Sequence, residues 1–288
     1  MQGYLSVLDP GYPGKLAEHL SDPKGIYYAG DPGLAEKTGI AVVGSRKATG
    51  YGIAVAKELG ARAAQLGVIV ISGLARGIDS AAHRGALEAG GKTIAVLGNG
   101  IDTVYPRENR KIQDEIASGG LLITEYGPGT PAAPYRFPER NRLIAALADA
   151  VIVVEAETRS GSLITAEAAM EMGKEVYAVP GNITSTMSMG TNKLLRDAAR
   201  PLVILDDVFQ DLGIDVAGTR RNAGISRLGE DERRLFEIAR ESGEISVESL
   251  RRRAGMSAAE IAGLVSVLEM KGMVYCELGK IIVAKSLL

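Results

Sequence analysis

The chain has 288 residues, 46% of them hydrophobic and 24% charged, enough for one sizeable buried core and a second, smaller one. Its net charge of −2 provides no global field for a polyanion, so any nucleic-acid site has to be a local patch. One cysteine, Cys276, far along the chain from both histidines, excludes an internal disulfide and a Cys/His metal cluster.

The N-terminal stretch MQGYLSVLDPGYP lacks the cationic start and apolar core of a signal peptide, and no later run approaches membrane-spanning length, so a cytoplasmic location is expected. Residues 1–37, with DPGYP and GDPG turns, read as a loop-rich lead-in. Strands are then expected at 40–44, 68–73, 93–98, 121–126, 150–156 and 175–181, separated by helical patterns such as YGIAVAKELGARAAQLG, DSAAHRGALEAG and SLITAEAAMEMG. Near-continuous apolar strands alternating with helices specify a parallel sheet covered on both faces, an α/β, extended Rossmann-like doubly wound core over 38–212. VILDD at 203–207 is expected to extend the sheet.

A linker without periodicity follows at 213–225, and residues 226–288 show three helical patterns and a short hairpin, the pattern of a small winged-helix domain. Ser257 and Glu260 make a capping-box spacing at the start of its third helix. Residues 222–288 hold ten Lys/Arg and ten Asp/Glu, and the third helix offers Ala, Val and Leu where a major-groove reader offers Arg, Asn or Gln. A protein contact suits this domain better than duplex reading.

In an open parallel sheet ligands bind beyond the carboxyl ends of the strands. The loops there, among them GSRKATGYG, SGLARGID, GNGIDTVYPRENR and EAETRSGSLITA, are rich in glycine and arginine, a composition suited to anions. Gly44, Gly50 and Gly52 have the wrong intervals for a dinucleotide fingerprint, and Tyr51 stands where a Walker A loop needs lysine. Neither NAD nor ATP is expected as a cofactor, and no metal. Asp79 and His83, four apart on a helix, read as a surface hydrogen-bonded pair rather than a hydrolytic dyad, and Glu155 and Glu157 as a solvated rim.

The series VVGSRKATGYG, SGLARGIDSAAHRGAL, GGKTIAVLGNGIDTVYPREN, FPERNRLIA, SGSLITAEAAMEMGKEVYAVPG and SMGTNKLL resembles, in order and spacing, the DNA-processing protein A (DprA/Smf) family from about residue 10 to residue 207. The resemblance implies single-stranded DNA binding, help in loading RecA recombinase during natural transformation, an extended Rossmann core and a homodimer, with no catalytic residue. The front departs from the pattern, since the chain starts directly at the core without the N-terminal helical domain of some members.

A single strand requires cations and N–H donors along its backbone and surfaces for unstacked bases. Arg46 and Lys47 are expected to hold phosphate beside Gly44 and Ser45. Gly73, Arg76 and Gly77, then Arg107, and then Arg136, Phe137, Arg140, Asn141 and Arg142 come from neighbouring strand ends and are expected to line the same groove. Ser160, Gly161, Ser162 and Thr165 supply hydroxyls and N–H groups at a helix start, where they also serve as a plain N-cap. An alternative is an enzyme: RSGSLITAE loosely resembles the phosphate loop of the lysine-decarboxylase-like phosphoribohydrolases, without their first glycines and with Glu167 displaced by one.

Overall fold

The structure, a computed structural model, describes residues 2–216, 228–277 and 279–283. It divides at Ile214 and Asp215 into two compact units. Most of the expected linker, residues 217–225, lies outside the described residues, as do the last five positions.

The first unit is built on β1 (Gln2–Leu5), β2 (Ile26–Gly30), β3 (Gly39–Val43), β4 (Ile69–Ser72), β5 (Thr93–Val96), β6 (Leu121–Thr124), β7 (Ala150–Val153), β8 (Glu175–Ala178) and β9 (Arg200–Pro201). Its helices are α1 (Gly14–His19), α2 (Gly50–Gln65), α3 (Ile78–Glu88), α4 (Arg110–Gly119), α5 (Arg136–Leu147), α6 (Gly161–Glu171), α7 (Met189–Asp197) and α8 (Asp207–Asp211). One nine-stranded sheet runs β1-β2-β6-β5-β4-β3-β7-β8-β9, parallel from β6 to β9. The doubly wound, Rossmann-like expectation holds. Burial on both faces explains the lack of polar alternation in the strands. Ala41, Val43, Ile71, Val96 and Ile123 pack with Leu16 of α1 and Leu143 and Leu147 of α5. Their neighbours Ala95 and Leu122 turn the other way, onto Ile112 and Ile116 of α4.

Three local readings are corrected. The lead-in is not mainly loop, because β1 and β2 extend the sheet antiparallel through β6; β2 is short and only half-buried, so it carries no strong apolar signal. Residues 203–207 form no strand. The last strand is Arg200–Pro201, and Val203 and Ile204 are exposed beyond it on the way into α8. The inner strands also stop up to three residues before the expected ends, where buried apolar residues continue off the sheet into loops.

Two glycines let α2 and α3 touch backbone to backbone: a Cβ on Gly60 would overlap the Ala82 carbonyl, and one on Gly85 the Lys57 carbonyl. On the same helix His83 is buried, with Nδ1 2.7 Å from Thr93 Oγ1. The Thr93 hydroxyl donates to Val70 O, so Nδ1 is the donor to Thr93, and Nε2 is left bare without a partner. The surface Asp79–His83 pair expected from the spacing is therefore absent, because α3 turns both residues inward.

The second unit contains α9 (Glu230–Ser242), β10 (Glu244–Ser246), α10 (Val247–Ala254), α11 (Ala258–Met270), β11 (Val274–Glu277) and β12 (Lys280–Val283). Its sheet order is β10-β12-β11, so the expected hairpin gains a third strand. Leu235, Phe236, Leu250, Ile261, Leu268 and Ile281 share one core, the winged-helix arrangement. The Ser257–Glu260 capping box forms as expected. Among the described residues no helix is long and apolar enough to cross a membrane, and no cluster of potential metal ligands occurs.

Burial lowers the His83 pKa from the ordinary 6.5 to about 3. The unfolded chain binds this proton at the higher value. His83 therefore contributes stability that is present above pH 6.5 and is lost as pH falls from 6.5 towards about 3. Urea unfolding of wild type and His83→Gln across that window should show a shallower pH dependence in the variant.

Candidate nucleic-acid interface

The chain winds outward from β3 in both directions, first to β4 and later to β7, so a crevice opens at the carboxyl end of β3. The loop leaving β3 is held tightly from below. Ser45 N donates to Glu155 O (2.7 Å), Lys47 N to Ser45 Oγ (3.1 Å), and Ile78 N to Ser45 O (3.3 Å). The Glu155 carboxylate accepts from Thr49 N (2.9 Å) and Thr49 Oγ1 (2.6 Å), while Thr49 caps α2. Gly77, at φ +76°, passes so close to Ser45 O that a side chain would collide with it. Glu155 is thus buried instead of lying on a solvated rim, and Glu157 alone is exposed. The result is a braced loop that leaves Arg46 and Lys47 exposed at its tip.

The floor of the crevice is Arg140, 4% exposed. Its Nη1 donates to Gly73 O (2.8 Å) and to Val96 O, and its Nε to Asn141 Oδ1 (3.2 Å). Asp79 accepts from Gly73 N (3.1 Å) and Ala75 N (3.3 Å), and its charge supports that of Arg140. Burial pulls the Arg140 guanidinium down to about 10, partly offset by Asp79 and reinforced by Arg46. It stays charged at neutral pH. Burial pushes the Asp79 carboxyl up, with Arg140 pulling against it.

Above Arg140 lies Phe137. Its ring packs against Gly98, where a Cβ would sit 2.8 Å from ring Cδ1. The Arg46 guanidinium stands 5.1 Å from the ring centroid, and Tyr105 stacks on the ring at 5.4 Å and 26°. Tyr105 is 44% exposed. At the far wall Ser160 caps α6, Ser160 Oγ lies 2.8 Å from Ser162 Oγ, and Asn141 Nδ2 donates to Gly161 O (3.0 Å).

A cleft of about 480 Å³ gathers most of the expected residues: Gly44, Ser45, Arg46, Lys47, Phe137, Arg140, Asn141, Ser160, Gly161, Ser162 and Thr165. An adjoining hollow of about 220 Å³ adds Gly73 and Arg76, and a third of about 460 Å³ holds Arg76 and Arg107. Gly77 supports the Arg46 loop without lining these spaces. Two expected cations are not brought in. Arg142 Nη2 donates to both oxygens of the half-buried pair partner Glu125 (2.5 and 2.6 Å). Arg136 lies 5.2 Å from the Tyr126 ring and 5.3 Å from Tyr135, and donates to Pro131 O. Neither side chain lines any of the three spaces. Tyr105, which borders all three spaces, was not among the expected residues. Its place near Arg107 in YPREN is the same aromatic and arginine interleaving that Phe137 shows in YRFPERNR.

A doubly wound sheet with a cationic, aromatic-lined crevice at its strand ends defines a Rossmann-like protein whose crevice has the chemistry to take an anion. The chain belongs to the DNA recombination-mediator protein A family, whose model matches residues 3–213. It is 44% identical over 207 residues to DNA processing protein DprA of Streptococcus pneumoniae, covering 72% of this chain and 73% of that one. The X-ray structure of the pneumococcal protein aligns with a TM-score of 0.69, 42% identity and coverage of 73% and 74%. A structure of DNA processing protein A from Helicobacter pylori, described for its single-stranded DNA binding mode, aligns with a TM-score of 0.66 and 31% identity, covering 74% of this chain and 98% of that one.

Arg140→Gln should cost on the order of 2–4 kcal/mol of unfolding free energy, since it leaves the Gly73 and Val96 carbonyls without their donor and removes the cation that offsets the burial of Asp79. Adding Asp79→Asn should recover part of that loss, and urea unfolding of the two single variants and the double variant measures the coupling.

Proposed function

We propose that this chain binds single-stranded DNA in the crevice, protects incoming DNA and helps to load a RecA-type recombinase in natural transformation and recombination. It acts as a cytoplasmic homodimer and performs no reaction on the strand. The observation that carries the reading is the arrangement of exposed Arg46 and Lys47, with Arg76 close by, around the Phe137–Tyr105 stack. Cations spaced along a groove neutralise successive phosphates, and an exposed aromatic face gives an unstacked base about 1–3 kcal/mol of stacking. Because the chain as a whole carries −2, this local cluster has to supply the attraction. The single-stranded DNA binding mode described for the H. pylori relative supports the same ligand class. Glu167, the residue on which the phosphoribohydrolase alternative depends, is exposed on α6 and does not line the cleft.

The test is a titration with labelled single- and double-stranded oligonucleotides at several salt concentrations, run on wild type and Arg46→Ala. Wild type should prefer the single strand. Arg46→Ala should bind more weakly across sequences and flatten the log–log salt slope by about 0.7, with an unchanged melting temperature because the side chain is exposed. Unchanged affinity with an unchanged slope would remove Arg46 from the phosphate path.

A further inference from the structure

Beyond Tyr105 the crevice opens into the hollow of about 460 Å³, whose lining includes Arg76, Arg107 and Glu108. Arg76 borders this space and the inner hollow alike, so it stands on the sill between them. Its guanidinium is engaged by Glu108, the one carboxylate among the residues lining the outer hollow.

The pairing is more than two long side chains meeting on a surface. Asn109 is buried, and its Nδ2 donates to Leu74 O (2.9 Å) and Ala75 O (3.3 Å). That tie fastens the turn Arg107–Asn109 to the segment just before Arg76, so the backbone sets carboxylate and guanidinium opposite each other. Both side chains remain about half exposed. An exposed pair of this kind is weak, and a competing anion displaces it at small cost. A carboxylate against a guanidinium also offers the same forked geometry as a phosphate.

We propose that the strand path continues past Tyr105 into the outer hollow, and that Glu108 acts there as a built-in competitor, occupying Arg76 until a backbone phosphate of the strand displaces it. This rests on the single-stranded DNA reading given above. Glu108 thereby restricts the outer contact to strands long enough to reach it while anchored in the inner cleft. In the free protein it also lowers the positive field at the sill, which discourages small anions and short fragments. With Glu108 displaced, Arg76 and Arg107 face the phosphate together.

The test uses the full chain, with Glu108→Gln, Arg76→Ala and the double variant titrated with a ladder of oligothymidylates at rising salt. Glu108→Gln should bind long oligonucleotides about two- to fivefold more tightly, the equivalent of one exposed ion pair released. The shortest bound oligonucleotides should show no gain, and the gain should vanish in the Arg76→Ala background. Glu108→Ala serves as a second variant, with the same expected direction, and melting temperatures show that each variant is folded. Weaker or unchanged binding of long strands, or an equal gain without Arg76, overturns the proposal while leaving wild-type binding intact. Failure of wild type to bind any single strand would instead remove the reading beneath it, and the proposal with it.

Discussion

A guanidinium shut inside the domain organises the crevice. Arg140 reaches from α5 under the ends of β4 and β5, binds the carbonyls of Gly73 and Val96, and faces Asp79. Burying a charge is expensive unless it is compensated, and here the Gly73 and Val96 carbonyls and the Asn141 amide oxygen accept from the guanidinium while the Asp79 carboxylate supports its charge without touching it. The neighbours are shaped to allow it. A side chain on Gly73 would overlap the guanidinium, and one on Gly98 would press on the Phe137 ring one helical turn before it. Arg140 therefore ties α5 to the ends of two strands beneath the Phe137 ring, although it has little surface of its own to offer a ligand.

A second brace complements it from the other side of the switch point. Glu155, just past β7, holds Ser45 through its carbonyl and Thr49 through its carboxylate, so the loop between them is gripped at both ends. Gly52 leaves room for that carboxylate, since a Cβ there would collide with it. Rigid support under an exposed cationic tip means that little conformational entropy is lost when Arg46 and Lys47 meet an anion. The division of labour is consistent: buried charges hold the frame, and exposed charges of the same crevice face outward.

Much of this was legible in the sequence, for identifiable reasons. Six apolar, β-rich runs specify the parallel sheet because both of its faces are buried, and the glycine- and arginine-bearing loops at their ends mark the crevice. What a linear reading lacks is the direction of a side chain. Arg140 and Arg142 are two residues apart on one helix, yet one enters the domain and the other pairs with Glu125. Asp79 and His83 have surface-pair spacing, but α3 packs so closely that both point inward. Glu155 looked like a rim residue because nothing local reveals that Thr49, over a hundred positions earlier, supplies its partners. β2 gives no clear sequence signal because a half-buried strand added antiparallel near the sheet's edge lacks the continuous apolarity of the inner strands.

In the second unit the described surface pairs many of its charges internally: Arg251 with Glu248, Arg253 with Glu241, and Lys271 with Glu232. The exposed side of α11 shows Ala259, Ala262, Gly263 and Ser266. Among the described residues of this unit nothing matches the cation and aromatic density of the crevice. The strand path proposed above accordingly runs in the first unit, against Tyr105 and the start of α5. The most direct test is photocrosslinking of the intact protein to an oligothymidylate carrying 4-thiothymidine, followed by mass-spectrometric mapping of the adducts. Adducts on peptides containing Tyr105 or residues 132–142 are predicted, and adducts confined to residues 228–283 would contradict the account.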